Sequence, residues 1–415
     1  MNEATVSNCL RLHKPSGPAG ATASVWTQVL SHLDPRFGGL STVVPLLSSR
    51  LVECQHMQVG LAAFCDPDEK TALNAFPDLS LTCWPSARIP WLKQPALRHK
   101  FRDTLSCSDG IHIHGLWEAS SVVAARCARK LCKPYIVSAH GMLEPWALAN
   151  KGLKKWLYSS LIERSTLEGA ACLHALTLAE AEDYRRFGSK RPIAIIPNGV
   201  SAPKGMNARA FLDRFPELNG KRFVLFLGRI HYKKGIDILM DAWAAIQANF
   251  PDTVLVLAGP NSENSRARLE TQIKSLNIGS SVFFTGMLDT VLKWSALSAA
   301  YCFVLPSYSE GLSVATLEAL SAGVPVIVTD HCHLPEVARY GAGWEISATK
   351  ESLQKALTEA MELSGLEMGE IGVRGLQLVE ERFSWSIIAR QMADLYRWVE
   401  TGSLPSTFVL LEATS

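Results

Sequence analysis

The sequence predicts an α/β protein with two doubly wound domains in tandem, and three observations support this fold class. Short aliphatic runs alternate with longer stretches of helical periodicity through most of the chain. The interiors of the runs are apolar, as in parallel strands that helices cover on both faces. The length of 415 residues is two to three times that of a usual domain. Two Rossmann-like sheets account for all three observations.

The alternation in the first half runs from Val25 to Ile196, after an extension, Met1–Ala23, that we expect to be disordered. The predicted strands are Val25–Leu30, Val59–Phe64, Leu81–Trp84, Ile111–His114, Tyr135–Ser138, Cys172–Ala175 and Ile193–Ile196. The predicted helices are Leu40–Leu51, Ser120–Leu131, Gly152–Leu167 and Leu178–Phe187.

The second half repeats the alternation after a joint at Ile196–Val200, where a strand ends in turn residues. We therefore predict a first domain over residues 24–200, a second over residues 201–383, and a crossover helix with a tail over residues 384–415. The predicted strands are Phe223–Leu227, Thr253–Ala258, Val282–Phe284, Tyr301–Leu305 and Val324–Val328. The predicted helices are Ile236–Asn249, Ser265–Leu276, Val291–Ala299, Val314–Ser321 and Ser384–Thr401.

Composition excludes several classes of protein. Hydrophobic residues make up 47% and charged residues 19%, which is too apolar for a mainly disordered chain. No apolar run approaches the roughly 18 to 20 residues that span a bilayer, and the start lacks the features of a signal peptide. We therefore expect a cytoplasmic protein. Its ten cysteines form no C-x-x-C pair, so we predict reduced core thiols rather than disulfides or zinc ligands.

Charge divides unevenly along the chain. Residues 1–203 carry 22 Lys and Arg against 16 Asp and Glu, a net charge of +6, whereas residues 204–415 carry 19 against 23, a net charge of −4. This division suggests that the first half faces an anionic partner.

The segment after the strand Phe223–Leu227 is a candidate anion site, because ligands of such sheets bind beyond the carboxyl ends of the strands. Arg229 and Lys234 flank Gly235, which opens the next helix, and a helix N-terminus favours an anion. A diphosphate would fit there. A solvated basic loop is the alternative interpretation.

The segment after Tyr301–Leu305 is a second candidate. Gly311 permits close approach to the backbone, and Leu312 and Ser313 would present free N–H groups at the start of a helix. Glu310 and Glu318 are separated by seven residues around a mostly apolar helix, and buried carboxylates require partners such as sugar or ribose hydroxyls. An ordinary helix-end charge with a salt bridge remains the alternative.

Two further candidates lie in the first half. His140 follows the strand Tyr135–Ser138 and precedes a glycine, where it could contact a ligand or be packed and hydrogen-bonded within the core. Gly38 and Gly39 precede a helix and resemble a phosphate-approach turn, although without the complete dinucleotide fingerprint.

Taken together, these residues resemble glycosyltransferase family 4, the retaining nucleotide-sugar transferases with the GT-B fold. The most specific element is Glu310 with Glu318 inside Pro306–Glu318. Four other segments follow in the family's order: Asp34–Leu40, Pro197-Asn198-Gly199, Gly228-Arg229 with Lys234-Gly235, and Phe383-Ser384-Trp385. The segment His140–Trp146 is similar to that of members which build bacterial surface polysaccharides.

The resemblance implies two domains that face each other across a cleft, with a C-terminal helix that packs back towards the first. It also implies that Arg229 and Lys234 hold the donor diphosphate and neutralise its growing charge. His140 would lie near the anomeric centre. The departing phosphate would help to deprotonate the acceptor, so Glu310 is a positioning group and not a nucleophile. The implied donor-binding residues are Gly38, Gly39, Asn198, Gly199, Arg229, Lys234, Glu310, Gly311, Leu312, Ser313 and Glu318.

Some features of the sequence could also indicate a metal site or another function. Asp66-Pro67-Asp68 could be the metal-binding D-x-D of the other large glycosyltransferase fold, but a proline between charges is typical of a surface turn. His112 with His114, and His331-Cys332-His333, lack a third metal ligand and are better explained as structural or cleft-lining residues. A sugar-nucleotide epimerase on the same fold and a non-catalytic sugar-nucleotide-binding protein are the rival functions. We expect no metal and no other cofactor.

The predicted partners are a nucleotide-sugar donor and a lipid-linked or saccharide acceptor, and no nucleic acid. Two basic and aromatic stretches suit peripheral contact with an anionic membrane at the inner face, although solvated helix faces explain them nearly as well. The stretches are Trp91, Leu92, Lys93, Arg98, Lys100 and Arg102, and Lys151, Lys154, Lys155, Trp156 and Tyr158.

Overall fold

A computed structural model describes residues 24–33, 39–64, 79–84, 95–145, 162–261, 263–403 and 407–412. The chain divides into two compact units. Unit 1 comprises Met1–Gly199 and Trp385–Ser415, and unit 2 comprises Val200–Ser384. The extension 1–23, Gly38, Asp66–Asp68, Trp91–Lys93, Lys151–Tyr158 and most of the predicted helix Gly152–Leu167 lie outside the described residues.

Unit 1 is built on an eight-stranded sheet with the order β14-β7-β6-β5-β4-β1-β2-β3. Seven strands are parallel, and only β14, at the edge, pairs antiparallel with β7. The strands are β1 (Val25–His32), β2 (Gln58–Phe64), β3 (Ser80–Trp84), β4 (Gly110–His114), β5 (Tyr135–Ser138), β6 (Cys172–Ala175), β7 (Ile193–Ile195) and β14 (Val409–Leu411). The helices are Leu40–Gln55, Pro95–Ser106, Ala119–Lys130, Leu178–Arg186 and Trp385–Thr401, and residues 162–168 are also helical.

Unit 2 is built on a six-stranded parallel sheet with the order β10-β9-β8-β11-β12-β13. The strands are β8 (Arg222–Leu227), β9 (Thr253–Ala258), β10 (Val282–Gly286), β11 (Cys302–Leu305), β12 (Val326–Thr329) and β13 (Gly343–Ile346). The helices are Arg209–Arg214, Ile236–Ile246, Glu263–Ser275, Thr290–Ala299, Val314–Ser321, Glu336–Tyr340, Lys350–Glu362 and Gly365–Leu378.

The central strands form because their side chains are apolar on both faces. Every residue of β4, β5 and β6 is buried in unit 1, as is every residue of β9, β11 and β12 in unit 2. This is the burial expected of parallel strands between two helical layers. The predicted fold class is therefore confirmed.

Helix starts follow from side-chain caps. Ser313 accepts a hydrogen bond from the backbone N–H of Thr316, and Asp289 accepts one from Leu292. These caps satisfy N–H groups that have no partner within the helix. At Ser364 a reciprocal capping box with Glu367 starts a further helix.

The C-terminal helix Trp385–Thr401 belongs to unit 1, as the resemblance implied. Tyr396 stacks on Trp26 of β1, with ring centroids 3.9 Å apart. Gly199 lies directly under Trp385, where a Cβ would stand 2.4 Å from the indole ring. A glycine is therefore required at position 199 to seat the start of this helix.

The prediction for the cysteines is partly wrong. Cys83 is disulfide-bonded, and Cys54, Cys107 and Cys132 are exposed rather than part of the core. The buried free thiols that agree with the prediction are Cys127, Cys172, Cys302 and Cys332.

Within the described residues, no helix is both long and apolar enough to cross a membrane.

Candidate active site

The candidate active site lies at the point where the strand order of the second sheet reverses. β8 and β11 are neighbours there, although two strands and three helices separate them along the chain. The loops that follow them are Gly228–Gly235 and Pro306–Ser313. Loops at such a switch point diverge to opposite faces and leave a crevice beyond the strand ends, which is where doubly wound sheets bind ligands.

Close backbone contacts hold these two loops together. Gly235 has a φ of +65°, and a Cβ at this position would lie 1.9 Å from the carbonyl oxygen of Pro306. The N–H of Tyr308 donates to the carbonyl of Lys233 over 2.8 Å. The backbone approach that the glycine permits is what brings Lys234 to the second loop.

Lys234 and Glu310 form an ion pair across the two loops. Their side chains are 20% and 11% exposed, so the pair is largely shielded from water. The hydroxyl of Ser307 donates to the same carboxylate oxygen of Glu310 over 2.6 Å. The other oxygen makes no hydrogen bond with the residues that the structure describes and can accept one from a ligand.

The same two loops contain further cationic and backbone donors. Arg229 is exposed and makes no ion pair with any described residue. The N–H groups of Gly311, Leu312 and Ser313 donate no hydrogen bond within the described chain, although Leu312 and Ser313 are buried. These N–H groups and cations are suited to oxygen atoms that carry negative charge.

Glu318 lies in the helix Val314–Ser321 and pairs with Lys293 of the helix Thr290–Ala299. The two side chains are 13% and 23% exposed. Sequence analysis did not single out Lys293 or Ser307, because nothing in their spacing links them to Glu318 and Glu310. The salt bridge that the alternative interpretation expected of Glu318 is therefore present, and its second oxygen makes no hydrogen bond with the described residues.

The other predicted site residues lie in unit 1. Gly39 is the N-cap of the helix Leu40–Gln55, and nothing among the described residues lies within 4 Å of where its Cβ would be. Asn198 is 9% exposed and follows β7. Their roles in donor binding, like that of Gly199, stay predictions.

His140 follows β5 in a left-handed conformation with a φ of +54°. Its Nε2 lies 3.0 Å from Nδ1 of His114, and the two rings are stacked 5.2 Å apart. Burial, with a smaller contribution from His174, lowers the pKa of His140 to about 3. The ring is therefore neutral at physiological pH and can act on a ligand only as a hydrogen-bonding group.

The described residues contain no group of three or more His, Cys, Asp or Glu side chains arranged to hold a metal ion.

Two family models account for most of the chain. "Glycosyl transferase 4-like domain" matches residues 38–199, and "Glycosyl transferases group 1" matches residues 209–370. The protein is therefore a glycosyltransferase. Within that class it belongs to glycosyltransferase family 4 and has the GT-B type of fold.

Characterised relatives in the family act on different substrates. The chain is 29% identical to an alpha-maltose-1-phosphate synthase of Mycolicibacterium smegmatis over 64% of its own length and 73% of the relative's. It is 29% identical to a phosphatidyl-myo-inositol mannosyltransferase of Mycobacterium leprae over 50% of its length and 54% of the relative's. It is 26% identical to a 2-deoxystreptamine N-acetyl-D-glucosaminyltransferase of Niallia circulans over 56% of its length and 61% of the relative's. The match thus spans little more than half the length of the last two.

Solved structures with the same fold include HepE of Anabaena in complex with UDP and glucose. It superposes with a TM-score of 0.73 at 17% identity, over 90% of this chain and 99% of that one. A sucrose-phosphate synthase from Thermosynechococcus elongatus superposes with a TM-score of 0.72 at 23% identity, over 92% of this chain and 100% of that one. At such identities the likeness establishes the fold alone.

Proposed function

We propose that the protein is a retaining glycosyltransferase that moves a hexose-type sugar from a nucleoside-diphosphate sugar to a lipid-linked or saccharide acceptor in polysaccharide biosynthesis. The observation that carries the proposal is that Arg229, the Lys234–Glu310 pair and the unpaired N–H groups of Gly311–Ser313 all lie in the two loops at one switch point. A diphosphate linked to a sugar offers both the charge and the hydroxyls that this set can bind. The UDP and glucose bound to HepE support the choice of donor class.

The reaction breaks the bond between the anomeric carbon and the diphosphate oxygen. The acceptor hydroxyl oxygen forms the new bond to that carbon on the same face, and the hydroxyl proton passes to the departing diphosphate. Arg229 and Lys234 stabilise the charge that develops on the diphosphate. Glu310 then orients a hydroxyl of the transferred sugar.

The two cations take the place that a metal ion occupies in other nucleotide-sugar transferases, and we propose that no metal is required. Activity should persist in EDTA. Loss of activity in EDTA that Mn²⁺ restores would contradict this part of the proposal.

The test of the donor uses the full chain with a panel of nucleotide sugars that includes UDP-glucose and GDP-mannose. A ligand that binds only the folded state stabilises it by about 2.7 kcal/mol at 100 times its Kd, so the true donor should raise the melting temperature. Isotope-labelled donor with membrane extract should then give a labelled lipid-linked or saccharide product. Epimerised donor without transfer would establish an epimerase, and no turnover with any donor would contradict catalysis.

Peripheral contact with an anionic membrane also belongs to this proposal. Arg102 is exposed on the helix Pro95–Ser106, and the residues of unit 1 carry 24 Lys and Arg against 19 Asp and Glu, a net charge of +5. The protein should float with vesicles that contain anionic lipid and not with neutral vesicles. Equal recovery with both kinds of vesicle would remove the membrane from the proposal.

A further inference from the structure

A continuous chain of hydrogen bonds runs through the core of unit 1 and ends at His140. Seven side chains take part, from four strands or their ends (β1, β4, β5 and β6) and from the C-terminal helix, and we call this chain the relay. Four of them are histidines. In order from His140, the relay comprises His140, His114, Gln28, Tyr396, His112, Ser138 and His174, and it terminates on the carbonyl oxygen of Ile196.

The terminal carbonyl fixes the direction of the whole relay. Nε2 of His174 lies 2.7 Å from the oxygen of Ile196, which can only accept, so this nitrogen carries the proton. A neutral imidazole has one donor and one acceptor, and Nδ1 of His174 must therefore accept from the hydroxyl of Ser138 over 2.6 Å. The oxygen of Ser138 in turn accepts from Nε2 of His112 over 2.7 Å.

The same direction continues through the middle of the relay. With Nε2 of His112 protonated, its Nδ1 accepts from the hydroxyl of Tyr396 over 2.8 Å. The oxygen of Tyr396 accepts from the amide nitrogen of Gln28 over 2.8 Å. The amide oxygen of Gln28 is then left to accept from Nε2 of His114 over 2.7 Å, which agrees with the orientation of the amide in the structure.

At the far end the relay determines which nitrogen of His140 is free. Nδ1 of His114 must accept, so Nε2 of His140 donates to it. The Nδ1 of His140 is therefore a bare lone pair, and it makes no hydrogen bond with any described residue. The ring is held in place because the flanking N–H groups of Ala139 and Gly141 donate to Tyr184 and Glu180.

Desolvation of the four histidines keeps the relay in one state, and His112, His114 and His174 are buried. A doubly protonated imidazole would need an acceptor on each nitrogen, and the relay offers an acceptor on one side only. Desolvation lowers the pKa of His112 and His114 well below the usual value, and that of His174 to about 4. All four rings thus stay neutral, as the single direction requires.

We propose that the relay locks His140 in its Nε2–H tautomer, so that Nδ1 accepts a hydrogen bond from a hydroxyl of the sugar that the enzyme binds. This inference rests on the proposed function for the identity of the ligand. Tyr396 and Gln28 are positioning residues, since they act on the ligand only through His140. The relay thereby selects a neutral hydroxyl at this point and disfavours groups that offer only acceptors, such as a phosphate oxygen.

The variant Tyr396→Phe tests the lock. It keeps the stack on Trp26 but removes the acceptor that orients the amide of Gln28. A reversed amide would donate to His114, and His114 would then donate to His140, whose Nδ1 would carry the proton. The matched control is Tyr135→Phe, which removes another buried hydroxyl of unit 1, bonded to the carbonyl of Thr166, outside the relay.

Ring-nitrogen NMR of the full chain labelled with ¹⁵N-histidine reads the tautomers directly and needs no substrate. Substituting each relay histidine by asparagine in turn assigns its signals. We expect His140 to have a protonated Nε2 and a bare Nδ1 in the wild type and in Tyr135→Phe, and a second tautomer in Tyr396→Phe. A protonated Nδ1 of His140 in the wild type, or an unchanged tautomer in Tyr396→Phe, would overturn the lock.

Kinetics with deoxy analogues of the donor test the contact with the sugar. The donor used is the nucleotide sugar that gives turnover, together with its single-position deoxy analogues. Loss of one neutral hydrogen bond should lower kcat/KM of the wild type roughly 3- to 10-fold for one analogue, and Tyr396→Phe should show no further loss with that analogue. Equal losses in both enzymes at every position would overturn the sugar contact. A lack of turnover with any donor would instead refute the proposed function and leave the NMR result to decide the lock.

Discussion

Lys234 is the residue on which the proposed donor site depends most. Lys234→Ala removes one of two cations at the diphosphate and leaves Glu310 with Ser307 as its remaining partner. We expect kcat/KM to fall by roughly 100-fold or more, because a preorganised charge at the departing group is lost. The free energy of unfolding should fall by only about 1 to 3 kcal/mol, the usual cost of leaving one buried polar group unpaired.

The control for this variant is Lys355→Ala, which breaks an exposed pair with Glu359 in the same unit. Surface pairs of this kind contribute about 0 to 1 kcal/mol, so neither activity nor stability should change much. Wild-type transfer by Lys234→Ala would show that the anion site lies elsewhere.

Glu318 tests the other end of the donor site. Glu318→Ala removes the carboxylate oxygen that has no partner among the described residues, together with the partner of Lys293. If this oxygen accepts a hydrogen bond from a ribose hydroxyl, kcat/KM for the donor should fall roughly 10- to 100-fold, the range for a hydrogen bond to a charged group.

Glu270→Ala is the comparison for Glu318→Ala, since it removes an exposed carboxylate that is paired with Arg266. Its kinetics should match those of the wild type. Nucleotide binding by Glu318→Ala that equals wild-type binding in a titration would exclude the ribose contact.

At the residue scale, the sequence reveals charged groups that stand out in an apolar segment. It does not reveal residues that only the fold brings into contact. Glu310 and Lys234 could be singled out, because carboxylates and cations directly after strands are unusual in an apolar context. The members of the relay could not be linked. Gln28 and Tyr396, for example, are separated by 368 residues, and neither carries a motif of its own.

The loop Gly228–Gly235 shows how an element determines the site. Gly235→Ala would place a side chain in the left-handed region and bring its Cβ to 1.9 Å from the carbonyl oxygen of Pro306. The loop must move, because the atom in the way is backbone. We expect activity to be lost and unit 2 to be destabilised by at least about 1 to 2 kcal/mol, the cost of the backbone conformation alone.

Gly369→Ala provides the control for this substitution. Gly369 lies inside the helix Gly365–Leu378, and no described atom lies within 4 Å of its Cβ position. Alanine should stabilise that helix by up to about 1 kcal/mol. A Gly235→Ala variant with normal activity and normal melting would show that the loop tolerates displacement.

At the element scale, most strands could be predicted and two could not. All twelve predicted strands are present, each with ends within two residues of those predicted. β13 (Gly343–Ile346) and β14 (Val409–Leu411) were missed, because each is short and only partly buried. The apolar run that marks a central strand is absent at the edge of a sheet, where one side of the strand has no neighbour.

The whole molecule should respond to acid unevenly, since the buried histidines of the described chain lie in unit 1. Burial lowers the pKa of all four relay histidines. Below pH 6.5 the unfolded chain therefore binds more protons at these histidines than the folded unit does. Stability is therefore present above pH 6.5 and lost as the pH falls. Each ring that stays neutral in the folded state lowers the free energy of unfolding by about 1.4 kcal/mol for each pH unit below 6.5.

Two buried carboxyls of unit 1, Glu180 and Asp183, oppose this trend, because desolvation raises the pKa of each. Desolvation raises the pKa of Glu180 to about 7, above its ordinary value of 4.5, so the folded state holds a proton that the unfolded chain releases. Glu180 alone would make unit 1 more stable as the pH falls from 7 to 4.5, and it offsets about one of the four histidines. The four histidines outnumber the carboxyls, so the net effect keeps the sign of the histidines, and unit 1 loses stability as the pH falls.

Calorimetry between pH 7 and 5 can therefore separate the two units. The melting transition of unit 1 should move down steeply over this range, while that of unit 2, whose His231 and His331 are exposed, should move little. Replacing His112 by asparagine removes one of the titrating rings and should flatten the pH dependence even if it lowers stability at pH 7. Parallel shifts of both transitions would mean that acid acts on the net charge of the molecule and not on the relay. A steep shift confined to one transition would instead show that the same buried hydrogen bonds which fix His140 make unit 1 the acid-sensitive half of the enzyme.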